Sequence, residues 1–188
     1  SLKPLAGKAR LGAHGDLPPP KADLDPSRGL PYPLASGGVL FASDGLINDA
    51  SGSLEIVFTP KTSSPSGALV HAWGQYVPLI DLQPEALTLN VYGVASQVNV
   101  RWQPEALYTL KLSWDHRAGV ALSLSRKGGP TQALRRRLHW QAFRQQYAPF
   151  TIGGAATEPR YRKWTGTFEG WVRSVRLFPV PLDVPGPA

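Results

Sequence analysis

Leu107–Asp115 constrains this chain more than any other stretch. Tyr108, Leu110, Leu112 and Trp114 fall on one side, and Thr109, Lys111, Ser113 and Asp115 on the other. A period of two belongs to a strand with one face in a core and the other in water, and antiparallel sheets are built from such strands. Asp115-His116-Arg117-Ala118-Gly119 then turns the chain. Val120, Leu122 and Leu124 alternate with Ala121, Ser123 and Ser125, and Lys127-Gly128-Gly129-Pro130 closes the hairpin.

Similar runs recur at roughly ten-residue spacing. They are Ser53–Thr59, Ala68–Trp73, Val77–Leu82, Ala86–Tyr92, Gln97–Trp102, Phe150–Gly154 and Phe168–Phe178. Turn residues part them, as in Ser64-Pro65-Ser66-Gly67 and Gln83-Pro84-Glu85. With 19 Gly and 19 Pro in 188 residues, long helices are excluded, because proline breaks them and glycine weakens them. Only residues 132–147, with Leu134, Leu138, Phe143 and Tyr147 loosely spaced, are expected to be helical. The expected fold is therefore all-β, an antiparallel two-sheet sandwich over residues 39–178. Residues 1–38 hold seven prolines, including Pro18-Pro19-Pro20, and read as an extended Pro-rich N-terminal arm. Residues 179–188 read as a Pro-rich tail.

Several functions are excluded outright. Without cysteine there is no disulfide framework, thiol nucleophile or Cys-based metal site. His14, His71, His116 and His139 lack ligand spacing, and no Gly-x-Ser-x-Gly elbow, phosphate loop or dinucleotide fingerprint occurs. No apolar run is long enough to span a membrane, so no membrane insertion is expected. Ser1–Lys8 has no apolar stretch of the signal-peptide kind. A chain that opens at Ser1 and lacks Met is expected to be a mature product, with either an initiator Met removed or a secretory precursor cleaved. The absence of Cys and Met, the scarcity of Asn and the excess of Arg over Lys resemble a thermophile's composition, and GC-rich codons give the same bias.

The order of motifs resembles that of laminin-G-like domains over about residues 50–178. Ser53–Pro60 is similar to their first core strand, and Leu107–Asp115 to their strand of tryptophan and alternating hydrophobics. Phe150-Thr151-Ile152-Gly153-Gly154 resembles their step ending in two glycines, and Phe168–Phe178 their closing strand. The resemblance implies a jelly-roll sandwich of the concanavalin A-like class. That class hosts lectins, glycosidases, adhesion modules and viral surface proteins, so it does not by itself carry a function. It also implies calcium as a possible cofactor at the sandwich edge. Asp44 and Asp49, in the loop Asp44-Gly45-Leu46-Ile47-Asn48-Asp49, and Asp115 are the oxygen ligands that would serve.

Charge is unevenly spread. Residues 1–94 carry a net −2 and residues 95–188 a net +9. Arg135, Arg136, Arg137 and Trp140 form one basic and aromatic cluster; Arg160, Arg162 and Trp164 form another. Guanidinium groups grip carboxylate, sulfate or phosphate in bidentate fashion and stack on rings. The two clusters are the candidate ligand-binding residues, for an acidic glycan or another polyanion. The same clusters also suit a Trp-anchored protein interface. Jelly-roll glycosidases carry paired carboxylates two to four residues apart on one strand. Here the one pair with that spacing that includes a glutamate is Asp81 and Glu85, and Pro84 parts them.

These readings lead to a structural or adhesion module, not an enzyme, placed on a virion or extracellular surface. The first expectation is a bacteriophage virion component of decoration, tail or fibre type, whose arm contacts other subunits or copies of itself. The alternative is a lectin-like module for carbohydrate or acidic glycan. A glycoside hydrolase ranks behind both.

Overall fold

The computed structural model of the chain describes residues 30–32, 39–41, 49–72, 79–142, 150–153 and 168–183. Twelve strands occur among them. They are β1 (Leu30–Tyr32), β2 (Val39–Phe41), β3 (Ser51–Pro60), β4 (Gly67–His71), β5 (Ile80–Gln83) and β6 (Ala86–Val91). Then follow β7 (Val94–Asn99), β8 (Tyr108–Asp115), β9 (Gly119–Arg126), β10 (Thr131–Arg136), β11 (Phe150–Ile152) and β12 (Gly170–Phe178). One sheet has the order β1-β12-β3-β8-β9-β10, the other β2-β11-β4-β5-β6-β7, and every pairing is antiparallel. The chain is thus an all-β two-sheet sandwich that fits a jelly roll, and no described residue is helical.

Alternation sets the register. Leu54, Ile56 and Phe58 of β3 stand opposite Leu112, Leu110 and Tyr108 of β8. Leu110 and Leu112 in turn stand opposite Leu124 and Leu122 of β9. All are buried. Slipping any strand by one residue would turn this row to solvent and bring Glu55 and Lys111 inward, so the pattern admits one pairing. The facing sheet contributes Val70, Ile80, Leu82, Leu87 and Leu89, also buried. At one end of this core Phe58 packs on Trp102, Tyr108 and Phe168, with ring centroids 5.8–6.2 Å apart. Each such pair adds about 0.5–1.5 kcal/mol beyond area burial.

Gly170 starts β12, with φ +154°, where the backbone passes close to its neighbours. A Cβ there would strike the Thr59 carbonyl oxygen and lie 2.6 Å from Cζ of Phe168. The closing strand can therefore dock on β3 only with glycine at this position.

One expectation about the elements needs revision. Residues 132–147 were expected to be helical, yet Thr131–Arg136 is strand β10. The reason is pairing: Gln132 and Leu134 stand opposite Leu124 and Leu122 of β9, and only a two-residue period brings both to the same face. Residues 137–142 continue without regular structure, and 143–149 lie outside the described residues.

The start of the Pro-rich tail, residues 179–183, lies against the chain's own sheet. The Ser53 hydroxyl donates to the Val180 carbonyl at 2.9 Å and accepts from the Leu182 backbone N–H at 2.8 Å. The Asp183 N–H donates to the Ser113 hydroxyl at 3.3 Å. Most of the N-terminal arm lies outside the described residues, but Leu30–Tyr32 pairs with Gly170–Val172 as an edge strand. Among the described residues no helix is long and apolar enough to cross a membrane.

Candidate functional site

Antiparallel connectivity brings several turns to one end of the sandwich. There the β3–β4 connection (61–66), the β5–β6 turn (84–85), the segment after β7 (100–107) and the β9–β10 turn (127–130) surround a cleft of about 1000 Å³. Trp102 and Tyr108 form its floor. Both are buried, with centroids 5.2 Å apart and planes at 63°. Their polar tips are taken by backbone: the Trp102 indole donates to the Gln83 carbonyl at 2.8 Å, and the Tyr108 hydroxyl accepts from the Gln103 N–H at 2.9 Å. The aromatics therefore brace the cleft, and the walls are left for a ligand.

The walls are polar. Ser63, Ser64, Gln97, Asn99, Gln103 and Gln132 supply hydroxyl and amide groups. Arg101 and Arg126 supply positive charge, and Glu85 is the one carboxylate among the lining residues. Neither arginine is ion-paired with a described carboxylate. The Arg126 guanidinium folds over its own turn, so a Cβ on Gly129 would come within 2.7 Å of Nε and 2.9 Å of Nη2. The Gly129 N–H closes that turn on the Arg126 carbonyl at 2.9 Å. The Gln132 Oε1 is buried without a hydrogen-bond partner. A buried acceptor left unmet costs about 1–3 kcal/mol, which a donor entering the cleft would offset.

Arg135, Arg136, Arg137 and Trp140 do not line this cleft. Arg135 on β10 pairs with Asp183 at 2.7 Å, both largely exposed. Arg136 and Arg137 are exposed at the end of that strand. Trp140 is part of the frame: its indole donates to the Asp49 carbonyl at 2.8 Å, and its ring stacks on Tyr92 at 6.2 Å. The Tyr92 hydroxyl donates to Asp49 Oδ2 at 2.7 Å. Burial, and then the Asp49 carboxylate, push the Tyr92 pKa above that of an ordinary tyrosine. Asp115 Oδ1 accepts from the N–H groups of Arg117 and Ala118 at 2.9 and 3.0 Å, which fixes the β8–β9 turn. The calcium ligands expected at Asp49 and Asp115 are thus engaged in protein hydrogen bonds. No three potential ligands cluster among the described residues. Asp44, Arg160, Arg162 and Trp164 lie outside the described residues.

No protein-family model matches the chain, and no curated protein sequence does either. Solved structures do share its fold. A mutant of Trypanosoma rangeli sialidase displaying trans-sialidase activity superposes with a TM-score of 0.59 at 16% identity, over 83% of this chain and 26% of that one. The same sialidase in complex with sialic acid gives 0.53 at 16% identity, with the same coverage. Tailspike protein 2 from the Escherichia coli O157:H7 bacteriophage CAB120 gives 0.52 at 11% identity, over 79% of this chain and 22% of that one. The chain therefore spans about a quarter of the length of these proteins. At such identities the likeness is one of fold.

This overturns the expectation that the chain is not an enzyme. That expectation rested on the missing carboxylate pair, yet solved structures sharing the sandwich include sialidases, a likeness of fold. The laminin-G resemblance is upheld only as a β-sandwich of the jelly-roll kind, since no laminin-G family model matches.

The cleft residues were missed from sequence, although a signal was there. Gln-Pro-Glu-Ala-Leu occurs twice, at residues 83–87 and 103–107. Both copies border the cleft, the first as the β5–β6 turn and the second just before β8.

Proposed function

We propose that the chain is a glycan-binding sandwich module of a larger assembly, with the saccharide seated in the end cleft. One observation carries this reading: a cleft of about 1000 Å³ lined by amides, hydroxyls and two arginines, with a buried amide oxygen awaiting a donor. Its size suits a small ligand, and sugars present the dense hydroxyl donors and acceptors such walls recognise. The fold shared with a sialidase solved with sialic acid and with a phage tailspike agrees with a glycan-directed module. Arg160, Arg162 and Trp164 are proposed as further contacts for an acidic glycan or another polyanion.

The test is saturable binding of oligosaccharides by calorimetry, using the whole chain. Arg101→Ala and Gln132→Ala should weaken binding at least tenfold, while Arg135→Ala should not. An absence of binding across neutral, carboxylated and sulfated oligosaccharides would sink the reading.

A second reading follows from the tailspike likeness: a bacteriophage virion component whose Pro-rich arm, residues 1–38, contacts neighbouring subunits. It expects the full chain to self-associate or to co-assemble with tail proteins. A chain that stays monomeric at every concentration and joins no tail protein refutes it.

A further inference from the structure

We infer that the cleft selects a saccharide bearing an oxyanion, carboxylate or sulfate, and that Arg126 is the group that grips it. The inference rests on the glycan-binding reading above and names the chemical class that the same cleft would take.

Two arginines and one glutamate line the cleft, so its fixed charge is positive. Most exposed arginines roam, and ordering one to meet an anion costs side-chain entropy. Arg126 is different. Its residue is only partly exposed, and its guanidinium lies over Gly129, where the missing Cβ leaves room for it. The guanidinium therefore sits over the β9–β10 turn, beside the cleft that Arg126 lines. Such a fork meets a planar carboxylate or a sulfate with two parallel N–H bonds, which a neutral hydroxyl cannot match. Arg101 is exposed and adds charge at the rim. Glu85 opposes an anion from the other wall, and this discriminates by position: the anionic group belongs at the Arg126 side. Gln132 lies one strand over from Arg126 and is two residues from Pro130, which also lines the cleft. Its unmet Oε1 accepts, so it asks for a hydroxyl donor and not for the anion itself. Anion at Arg126 and hydroxyl at Gln132 describe one acidic sugar unit.

The test uses matched pairs on one scaffold, titrated calorimetrically into the whole chain. Oligogalacturonate is compared with its methyl-esterified form, and a dextran sulfate oligosaccharide with plain dextran of equal length. The anionic member of at least one pair should bind at least tenfold tighter at low salt, with the margin shrinking as salt rises. Which pair shows the margin separates carboxylate from sulfate. Arg126→Gln should erase the margin between the anionic and the neutral member. Gly129→Ala keeps every charge and displaces only the guanidinium, so it should cut the margin several-fold with an unchanged melting temperature. Gln132→Leu should weaken neutral and anionic members alike.

Equal binding of both members would overturn the inference and leave the glycan reading standing. A margin that survives Arg126→Gln would put the anion elsewhere and overturn it too. Binding of neither member would remove both.

Discussion

Gly119 has φ +111°, and a Cβ on it would collide with the Arg136 carbonyl oxygen, with Leu138 N at 2.8 Å. Here glycine lets the end of β10 cross the start of β9. Gly119→Ala is expected to destabilise the protein by about 2–4 kcal/mol, from left-handed strain plus overlap with backbone that cannot yield. Urea denaturation measures it, and a midpoint unchanged from the parent would refute the packing argument. Tyr92 is a non-glycine residue at φ +46°, held there by its hydroxyl on Asp49 and its ring on Trp140. Tyr92→Phe keeps the ring and deletes the donor to a buried carboxylate. It should cost about 1–3 kcal/mol. His71 is buried, and burial lowers its pKa below the ordinary histidine value. The unfolded chain binds a proton near pH 6.5 where the native one does not, so this term is complete above about pH 6.5 and shrinks as pH falls. Asp81 works in the opposite sense, because burial raises its pKa, but in the lower window near ordinary carboxylate values. Between pH 7.5 and 5.5 stability should therefore decline, and His71→Gln should flatten that decline. A parent with equal urea midpoints at the two pH values would contradict it.

At the scale of elements, the strap of residues 179–183 is tied to two sheet strands through two serines. Ser53 Oγ and Ser113 Oγ lie 2.9 Å apart, and both are buried. Around them the strap makes three hydrogen bonds, and Arg135 adds an exposed ion pair worth well under 1 kcal/mol. Ser53→Ala should lower stability by about 1–3 kcal/mol and speed proteolysis after Leu182, while Arg135→Ala should do neither. An Arg135 effect as large as that of Ser53 would invert this ranking. The strap was not legible in the sequence, because nothing local distinguishes two outward-facing serines from any others. The strands were legible where one face is apolar, as in Leu107–Asp115. The β10 strand was not: Gln132-Ala133-Leu134-Arg135-Arg136 has a single strong apolar residue, and its edge position decides its conformation by pairing alone. The candidate cleft was illegible for a related reason. Its residues come from four connections and the strands beside them, which only the pairing order brings together, whereas the basic clusters stand out in the sequence by local composition.

Across the whole molecule, pairing is dominated by distant segments: β12 closes on β3 over more than a hundred residues, and β1 then closes on β12. Both sheets contribute to one continuous set of buried side chains, from Trp114 at one end to Trp102 and Phe168 at the other. Neither sheet can open without exposing the inner face of its partner, so the sandwich should unfold in one cooperative transition. Long-range antiparallel closure must also precede most of the burial that rewards it, which places refolding in the millisecond-to-second range. Tryptophan fluorescence and far-UV circular dichroism should therefore give coincident urea curves. A Trp102→Phe variant, which removes the tryptophan of the cleft floor, should show the same coincidence. Separate midpoints for the two probes would mean that the cleft end melts on its own. Its walls would then be a locally mobile surface, and the seat of Arg126 over Gly129 would be lost with them.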